Sequence, residues 1–189
     1  MRNLLVLIFC LPFFASAQRI AMVDIKGPTT VFVERMKKEK GFIQVGTDND
    51  LPKLRGKIKD DSVTLILHET PINHRLYKVD VRFDAIPKWK KTKKFYLAKK
   101  EKLIEKYGPI KIDSFKFQEP YCDGGRKEWE AFSQNKAMVM ADWGEMQYFQ
   151  NLHLKYYIHS DGHIYLSYTL RDEEFKYQEE KELSKNSIF

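Results

Sequence analysis

Apolar and polar residues alternate along two neighbouring segments near the middle of the chain. The segment 63–68 is apolar at every second position, and so is the segment 77–84. A period of two is typical of β-strands. Because a turn containing Pro71 and Asn73 separates the segments, the pattern predicts an antiparallel hairpin with one face buried and the other in water.

A second hairpin near the end of the chain has a register that can be derived from the same alternation. The apolar residues of one parity are Leu152, Leu154, Tyr156 and Ile158 before the turn and Ile164, Leu166, Tyr168 and Leu170 after it. A two-residue turn would mix the faces, whereas the three-residue loop 160–162 pairs the two apolar sets. We therefore predict that Ile158 pairs with Ile164 and that Gly162 is left-handed.

Two other segments have helical spacing and end at a glycine, as helices commonly do. The segment 31–40 places Phe32 and Met36 one turn apart. The segment 88–108 carries nine lysines and two glutamates. Its apolar face contains Trp89, Tyr96, Leu103 and Tyr107.

Shorter patterns predict further strands at 20–25, 43–45, 54–58, 110–117, 128–132 and 137–143. Residues 171–189 differ in kind, because they include six acidic and four basic side chains and few apolar ones. They predict either a solvated helix or an irregular tail, and we favour the tail for the last six residues.

The order of a helix followed by strands occurs twice. The glycines that end the two helices, Gly41 and Gly108, lie 67 residues apart, and the same offset relates Met36 to Leu103. Neither half has much apolar core of its own, so the two halves are expected to share one. We predict an α+β fold of two tandem helix-plus-antiparallel-sheet units packed as one compact domain.

The predicted boundaries begin with a signal peptide at 1–17. Arg2, the apolar run 4–14 and the small residues Ala15-Ser16-Ala17 are typical of secretory signals. The first unit is 18–87, the second is 88–171, and 172–189 is a charged C-terminal tail. We therefore expect an exported protein, periplasmic or extracellular, and no transmembrane segment, because no apolar run approaches the ~20 residues of a membrane helix.

Composition adds limits on the chemistry. The formal net charge of +7 becomes +6 when Arg2 is removed with the signal peptide. Cys122 is then the only cysteine, so no intramolecular disulfide can form. An exported basic protein does not meet cytosolic nucleic acid, so we expect no nucleic-acid partner.

The layout resembles the β-lactamase-inhibitor-protein-like (BLIP-like) fold, and more narrowly a group of small exported bacterial proteins of unknown function. The segments that carry the resemblance are IKGPTTVFVERMKKEKGF, YKVDVRF followed by Trp89, LIEKYGPI and HSDGHIYLSY. The resemblance implies two tandem helix-plus-sheet units and a binding role by analogy. It carries over no interface residue, and inhibition of a β-lactamase is not expected.

No motif for catalysis is visible. The chain lacks G-x-S-x-G, and Cys122 has no histidine near it in sequence. The derived register places His159 opposite His163 with Asp161 between them, but a metal site needs three or four ligands. We therefore predict no metal site and no cofactor, and leave open an enzyme site formed only in three dimensions.

The candidate binding residues belong to two surfaces. The outward face of the last hairpin offers Tyr157, Tyr165, Lys155, His159 and His163, and tyrosines beside a cation are typical of protein-binding surfaces. The basic helix offers Lys90, Lys91, Lys93 and Lys94.

We therefore predict an exported non-enzymatic binding protein that uses an exposed sheet face. Its partner is expected to be another protein or an acidic envelope component, and the oligomeric state is left open. One alternative is a periplasmic hydrolase or metal-dependent enzyme. A second is an envelope-associated protein that binds acidic partners through its basic helix.

Overall fold

The computed structural model describes residues 19–48, 51–86, 88–125, 127–146 and 151–186. The signal peptide predicted at 1–17 lies outside these residues. The strands are β1 (Arg19–Ile20), β2 (Val23–Asp24), β3 (Ile43–Asp48), β4 (Leu51–Ile58), β5 (Asp61–Glu69), β6 (Leu76–Phe83), β7 (Ile112–Phe117), β8 (Ala137–Met146), β9 (Leu152–Ile158) and β10 (Ile164–Leu170). The helices are α1 (Thr29–Lys40), α2 (Trp89–Tyr107), α3 (Glu128–Ser133) and α4 (Arg171–Asn186). The prediction of an α+β fold with antiparallel strands is confirmed.

Eight of the strands form one antiparallel sheet in the order β3-β4-β5-β6-β10-β9-β8-β7. Both predicted hairpins are present. In the first, Leu65 pairs with Val81. In the second, Ile158 pairs with Ile164, as the derived register requires, and Gly162 has a φ of 82°.

Helices α1 and α2 pack on one side of this sheet, which we call the core side. Phe32 and Met36 of α1 are buried there, as their spacing predicts. The ring of Tyr96 on α2 stacks on the ring of Tyr156 on β9, with centroids 4.6 Å apart and an interplanar angle of 2°. The alternate apolar positions of both hairpins supply the sheet's share of the same hydrophobic core.

Two of the predicted strands are wrong. Residues 20–25 contain a tight hairpin, β1 and β2, and not one strand, because Ala21 and Met22 both adopt positive φ and reverse the chain. Residues 128–133 form helix α3, which buries Glu128, Ala131 and Phe132 on one face. The three- and four-residue spacing of these side chains fits a helix better than a strand.

The opposite side of the sheet, which we call the open face, is partly covered by α4. This corrects the expectation of a wholly wet face, since Thr64 and Asp80 are only 4% and 6% exposed. For the end of the chain, the sequence predicts a helix or an irregular tail, and the structure has a helix over Arg171–Asn186. This helix includes part of the last six residues, for which the sequence favours a tail. The helix is also not fully solvated, because Glu173 and Glu180 are buried.

Candidate functional site

The open face presents a regular grid of side chains. Because neighbouring strands are in register, its central row crosses seven strands and contains Arg55, Thr64, Arg82, Tyr165, Tyr157, Met140 and Ser114. Helix α4 lies at one end of the grid, against β6 and β10. The loop 159–163 lies at the other end.

Tyr157 and Tyr165 stack on each other, as the register predicts, with ring centroids 5.5 Å apart and an interplanar angle of 9°. Tyr165 is nevertheless only 9% exposed, which differs from the exposed position expected for it. Burial, followed by the hydrogen bond that its hydroxyl donates to Asp161, raises the pKa of Tyr165 to about 12. Tyr165 therefore acts as a support for Tyr157, which is half-buried beside it.

Asp161 organises the loop that carries the two predicted histidines. Its carboxylate accepts a hydrogen bond from the His163 backbone N–H and lies within 3.2 Å of the His159 Nδ1 atom and 3.5 Å of the His163 Nδ1 atom. Burial acts to raise the pKa of Asp161, but these hydrogen bonds and charges outweigh it and hold the pKa below its ordinary value. No group of three or more His, Cys, Asp or Glu residues arranged to hold a metal ion occurs within the described ranges.

Two His–Asp–Lys clusters lie on the open face. In the first, Asp80 accepts a hydrogen bond from His68 Nε2 at 2.8 Å, its carboxylate is 3.0 Å from Lys78 Nζ, and Ser167 lies opposite it on β10. Burial acts to raise the pKa of Asp80, but the hydrogen bond from His68 and the charge of Lys78 outweigh it and lower the pKa. Asp80 is thus a paired carboxylate held between donors.

In the second cluster, Asp142 accepts hydrogen bonds from His153 Nε2 at 2.8 Å and from the Gly144 backbone N–H at 2.7 Å. Lys155 Nζ lies 3.5 Å from the same carboxylate. Burial opposes these contacts, which still lower the pKa of Asp142.

The order of contacts in these clusters is informative about chemistry. In a hydrolase triad the histidine lies between the nucleophile's hydroxyl and the carboxylate, so that it can take the hydroxyl proton. Here Asp80 lies between His68, which donates to it, and Ser167, which is opposite it on β10. This arrangement fixes the side chains of the open face, but it does not activate Ser167 as a nucleophile.

A cleft of about 400 Å³ opens between the two clusters and α4. Lys78, Lys155 and Arg171 supply its positive charges, and Glu174 of α4 supplies a negative one. The predicted residue Lys155 therefore lines a polar cleft and remains partly exposed, with 42% of its side chain in contact with solvent.

The half of the open face that α4 leaves bare is more apolar than expected. Ile112 on β7 and Met138 on β8 are 56% and 47% exposed, and the half-buried Met140 lies between them, opposite Tyr157 in the central row. The sequence analysis missed these residues. The signal was available, because Met138 and Met140 have the opposite parity to the buried Val139 and Ala141 on the same strand.

The four predicted lysines of α2 do not behave alike. Lys90, Lys91 and Lys94 are exposed. Lys93 instead pairs with Asp123 at 2.5 Å and with Glu128 at 2.9 Å, so it anchors the helix to the 121–125 loop and to α3. Burial acts to lower the pKa of Lys93, but these two carboxylates outweigh it and raise the pKa.

Cys122 is an exposed free thiol in the same loop. Across the ranges that the structure describes, no helix is both long enough and apolar enough to cross a membrane.

Comparison of the chain with protein-family models, with curated proteins and with solved structures found no match in any of the three.

Proposed function

We propose that this chain is an exported, non-enzymatic binding protein that contacts a partner protein through the bare half of its open face. One observation carries the proposal: the exposed residues Ile112 and Met138, with the half-buried Met140 between them, form an apolar patch beside the stacked tyrosines. Exposed apolar patches rimmed by polar groups mark interaction sites, and Met and Tyr are enriched at interfaces. Lys116 and Lys155 supply the polar rim.

We also propose that the chain consists of two tandem units, as its resemblance to the BLIP-like fold implies. The strand order supports this, since β3 to β6 and β7 to β10 are each a run of consecutive strands preceded by a helix. The predicted boundary at 87–88 falls between β6 and α2. The proposal of export rests on the residue pattern of 1–17.

A pull-down from the native cell envelope tests the binding surface. We expect the variant Ile112→Glu/Met138→Glu to lose a protein that the wild type captures, because two charges would be forced into a desolvated contact. The matched control is Val31→Glu, which changes an exposed apolar residue on α1, on the core side of the sheet. Retention by the double variant, or equal loss by the control, would contradict the proposal.

A second candidate function is attachment to an acidic envelope component through α2. The observation in its favour is that Lys90, Lys91 and Lys94 are exposed together at the start of this helix. Reversal of these three charges to glutamate is expected to abolish retention on an acidic matrix, and retention by the wild type is expected to weaken steeply with salt. Lys93 is left unchanged because it pairs with Asp123 and Glu128.

The hydrolase or metal-dependent alternative has less support. His68 contacts the Asp80 carboxylate, and Asp80 lies between His68 and Ser167, so the two do not form a nucleophile–base pair. Cys122 lies in the exposed loop 121–125, whereas His68 lies on the open face against Asp80.

A further inference from the structure

The core side of the sheet is incompletely covered by its helices. Neighbouring strands lie about 4.8 Å apart, so eight strands make a surface over about 30 Å wide, whereas a helix with side chains is about 10 Å across. The helices α1 and α2 leave an opening between them, over the central strands β6 and β10. This opening is a groove of about 610 Å³ on the opposite side of the sheet from the proposed protein-binding surface.

The floor of the groove is apolar. Val81, Phe83, Leu166, Tyr168 and Tyr156 form it, and Leu103 of α2 forms part of one wall. The hydroxyl of Tyr156 is enclosed and has no hydrogen-bond partner within the described part of the chain.

The rim of the groove is strongly basic. It is formed by Arg19, Lys40, Lys57, Lys59, Lys102 and Lys106, together with Lys99. Among the described residues that line the groove, Asp61 is the one acidic side chain, and it is paired with Lys99. Lys57, Lys59 and Lys102 make no ion pair with any residue that the structure describes, so their charges are available to a ligand.

The β1–β2 hairpin stands at the mouth of the groove. Its turn residues Ala21 and Met22 both have positive φ, which is unfavourable for residues other than glycine. The turn holds the side chain of Met22 73% exposed beside the opening. An unbranched thioether adapts its shape to an apolar ligand, so Met22 extends the apolar surface beyond the floor.

We propose that this groove binds the anion of a fatty acid, with the acyl chain on the apolar floor and the carboxylate among the rim lysines. The volume lies within the range of about 300–1,000 Å³ that holds one small ligand. The excess of cations over carboxylates at the rim favours an anionic head, and the apolar floor favours a hydrocarbon body.

Three ligands with the same chain and different heads test the proposal. Dodecanoate, dodecanol and dodecyltrimethylammonium are titrated, each below its aggregation concentration, against the purified protein carrying a fluorescent fatty acid, and displacement is measured. Dodecanoate is expected to displace the probe at least about tenfold more strongly than dodecanol, and the cation least of all. Equal displacement by dodecanoate and dodecanol, or no binding of the probe, would overturn the proposal.

Matched charge reversals locate the site. Lys59→Glu/Lys102→Glu changes two rim residues and is expected to weaken dodecanoate binding by roughly tenfold or more while leaving dodecanol unchanged. Lys90→Glu/Lys91→Glu makes the same change of charge outside the groove and is expected to have little effect. An equal effect of both variants would show a general electrostatic attraction and would refute the assigned site. All four positions are at the surface, so circular dichroism suffices to verify folding.

Discussion

Gly56 on β4 is small because the ring of Phe42 occupies the place where its side chain would be. A Cβ atom at Gly56 would lie 2.6–2.7 Å from three atoms of that ring. Phe42 is itself buried, so it has little room to move aside. The pair is an example of an aromatic ring that covers a strand glycine.

We expect Gly56→Ala to lower the free energy of unfolding by about 1–3 kcal/mol, because the added methyl group overpacks the core. Urea denaturation measures the change. In the double variant Gly56→Ala/Phe42→Leu, the smaller side chain should make room, so the combined loss should be less than the sum of the two single losses. Strict additivity would show that the Phe42 ring is not the cause.

Some residue-level features could be predicted and others could not. The positive φ of Gly162 follows from the apolar parity of the flanking strands. The close packing of Gly162 against Trp129 could not be predicted in the same way. A Cβ atom at Gly162 would meet the ring of Trp129, and Trp129 lies in a segment that the sequence predicts to be a strand. Tyr165 is contacted by Tyr157 and Asp161, which are near in sequence, and it also lies opposite Arg82 of β6, which is distant.

At the scale of elements, α4 is held on the open face by a few buried polar contacts. Glu173 accepts two hydrogen bonds from the Arg75 guanidinium, at 2.8 and 2.9 Å. Glu180 accepts hydrogen bonds from the backbone N–H groups of Ile72 and Asn73 and from the Asn73 side-chain amide. These contacts join the chain end to the β5–β6 turn, so the acidic residues of this segment serve to dock it.

We expect Glu180→Gln to loosen α4 while the sheet stays folded, because a neutral amide replaces a charged acceptor, at a cost of about 1–3 kcal/mol. Hydrogen exchange should become faster in α4 and in the 70–75 turn, and stay unchanged in β9. Glu179→Gln removes the same charge from an exposed position next in sequence and is the control. The idea fails if both variants leave the exchange of α4 unchanged.

The sequence predicts elements well where local period decides the structure and poorly where distant groups decide it. Both hairpins, α1 and α2 follow from apolar spacing. The helix α3 does not, because Glu128 is fixed by Trp89, by Lys93 and by the Gly124 N–H. The docking of α4 was likewise hidden, because its contacts lie about a hundred residues away in sequence.

At the scale of the molecule, buried carboxylates make stability depend on pH. The pKa values of Asp80, Asp142, Glu173 and Glu180 are all held below their ordinary values in the fold. A carboxyl group whose pKa is lower in the folded state stabilises the fold fully at pH values above its unfolded-state pKa, which is about 4. This stabilisation is lost as the pH falls through the folded-state pKa. The chain is already basic, so protonation also increases its self-repulsion.

We therefore expect the free energy of unfolding to fall steeply below about pH 4. Asp80→Asn should cost about 1–3 kcal/mol at pH 7 and less at pH 3, because below the unfolded-state pKa of about 4 the stability that its lowered folded-state pKa provides is being lost. Urea denaturation at both pH values measures this, with the exposed Asp60→Asn as the control. A loss of equal size at both pH values would point to packing and not to charge.

The strand order also has a kinetic consequence. Six of the seven neighbouring strand pairs in the large sheet join strands that are consecutive in the chain, and only the β6–β10 pair does not. Val81 and Leu166, which pair there, are separated by 85 residues. Hairpins form in microseconds, whereas the closure of a long loop has a larger entropic cost. The pairing of β6 with β10 is therefore expected to be the slow step in the formation of the complete sheet. Until it closes, β6 and β10 each present an unpaired edge that another copy of the chain can occupy.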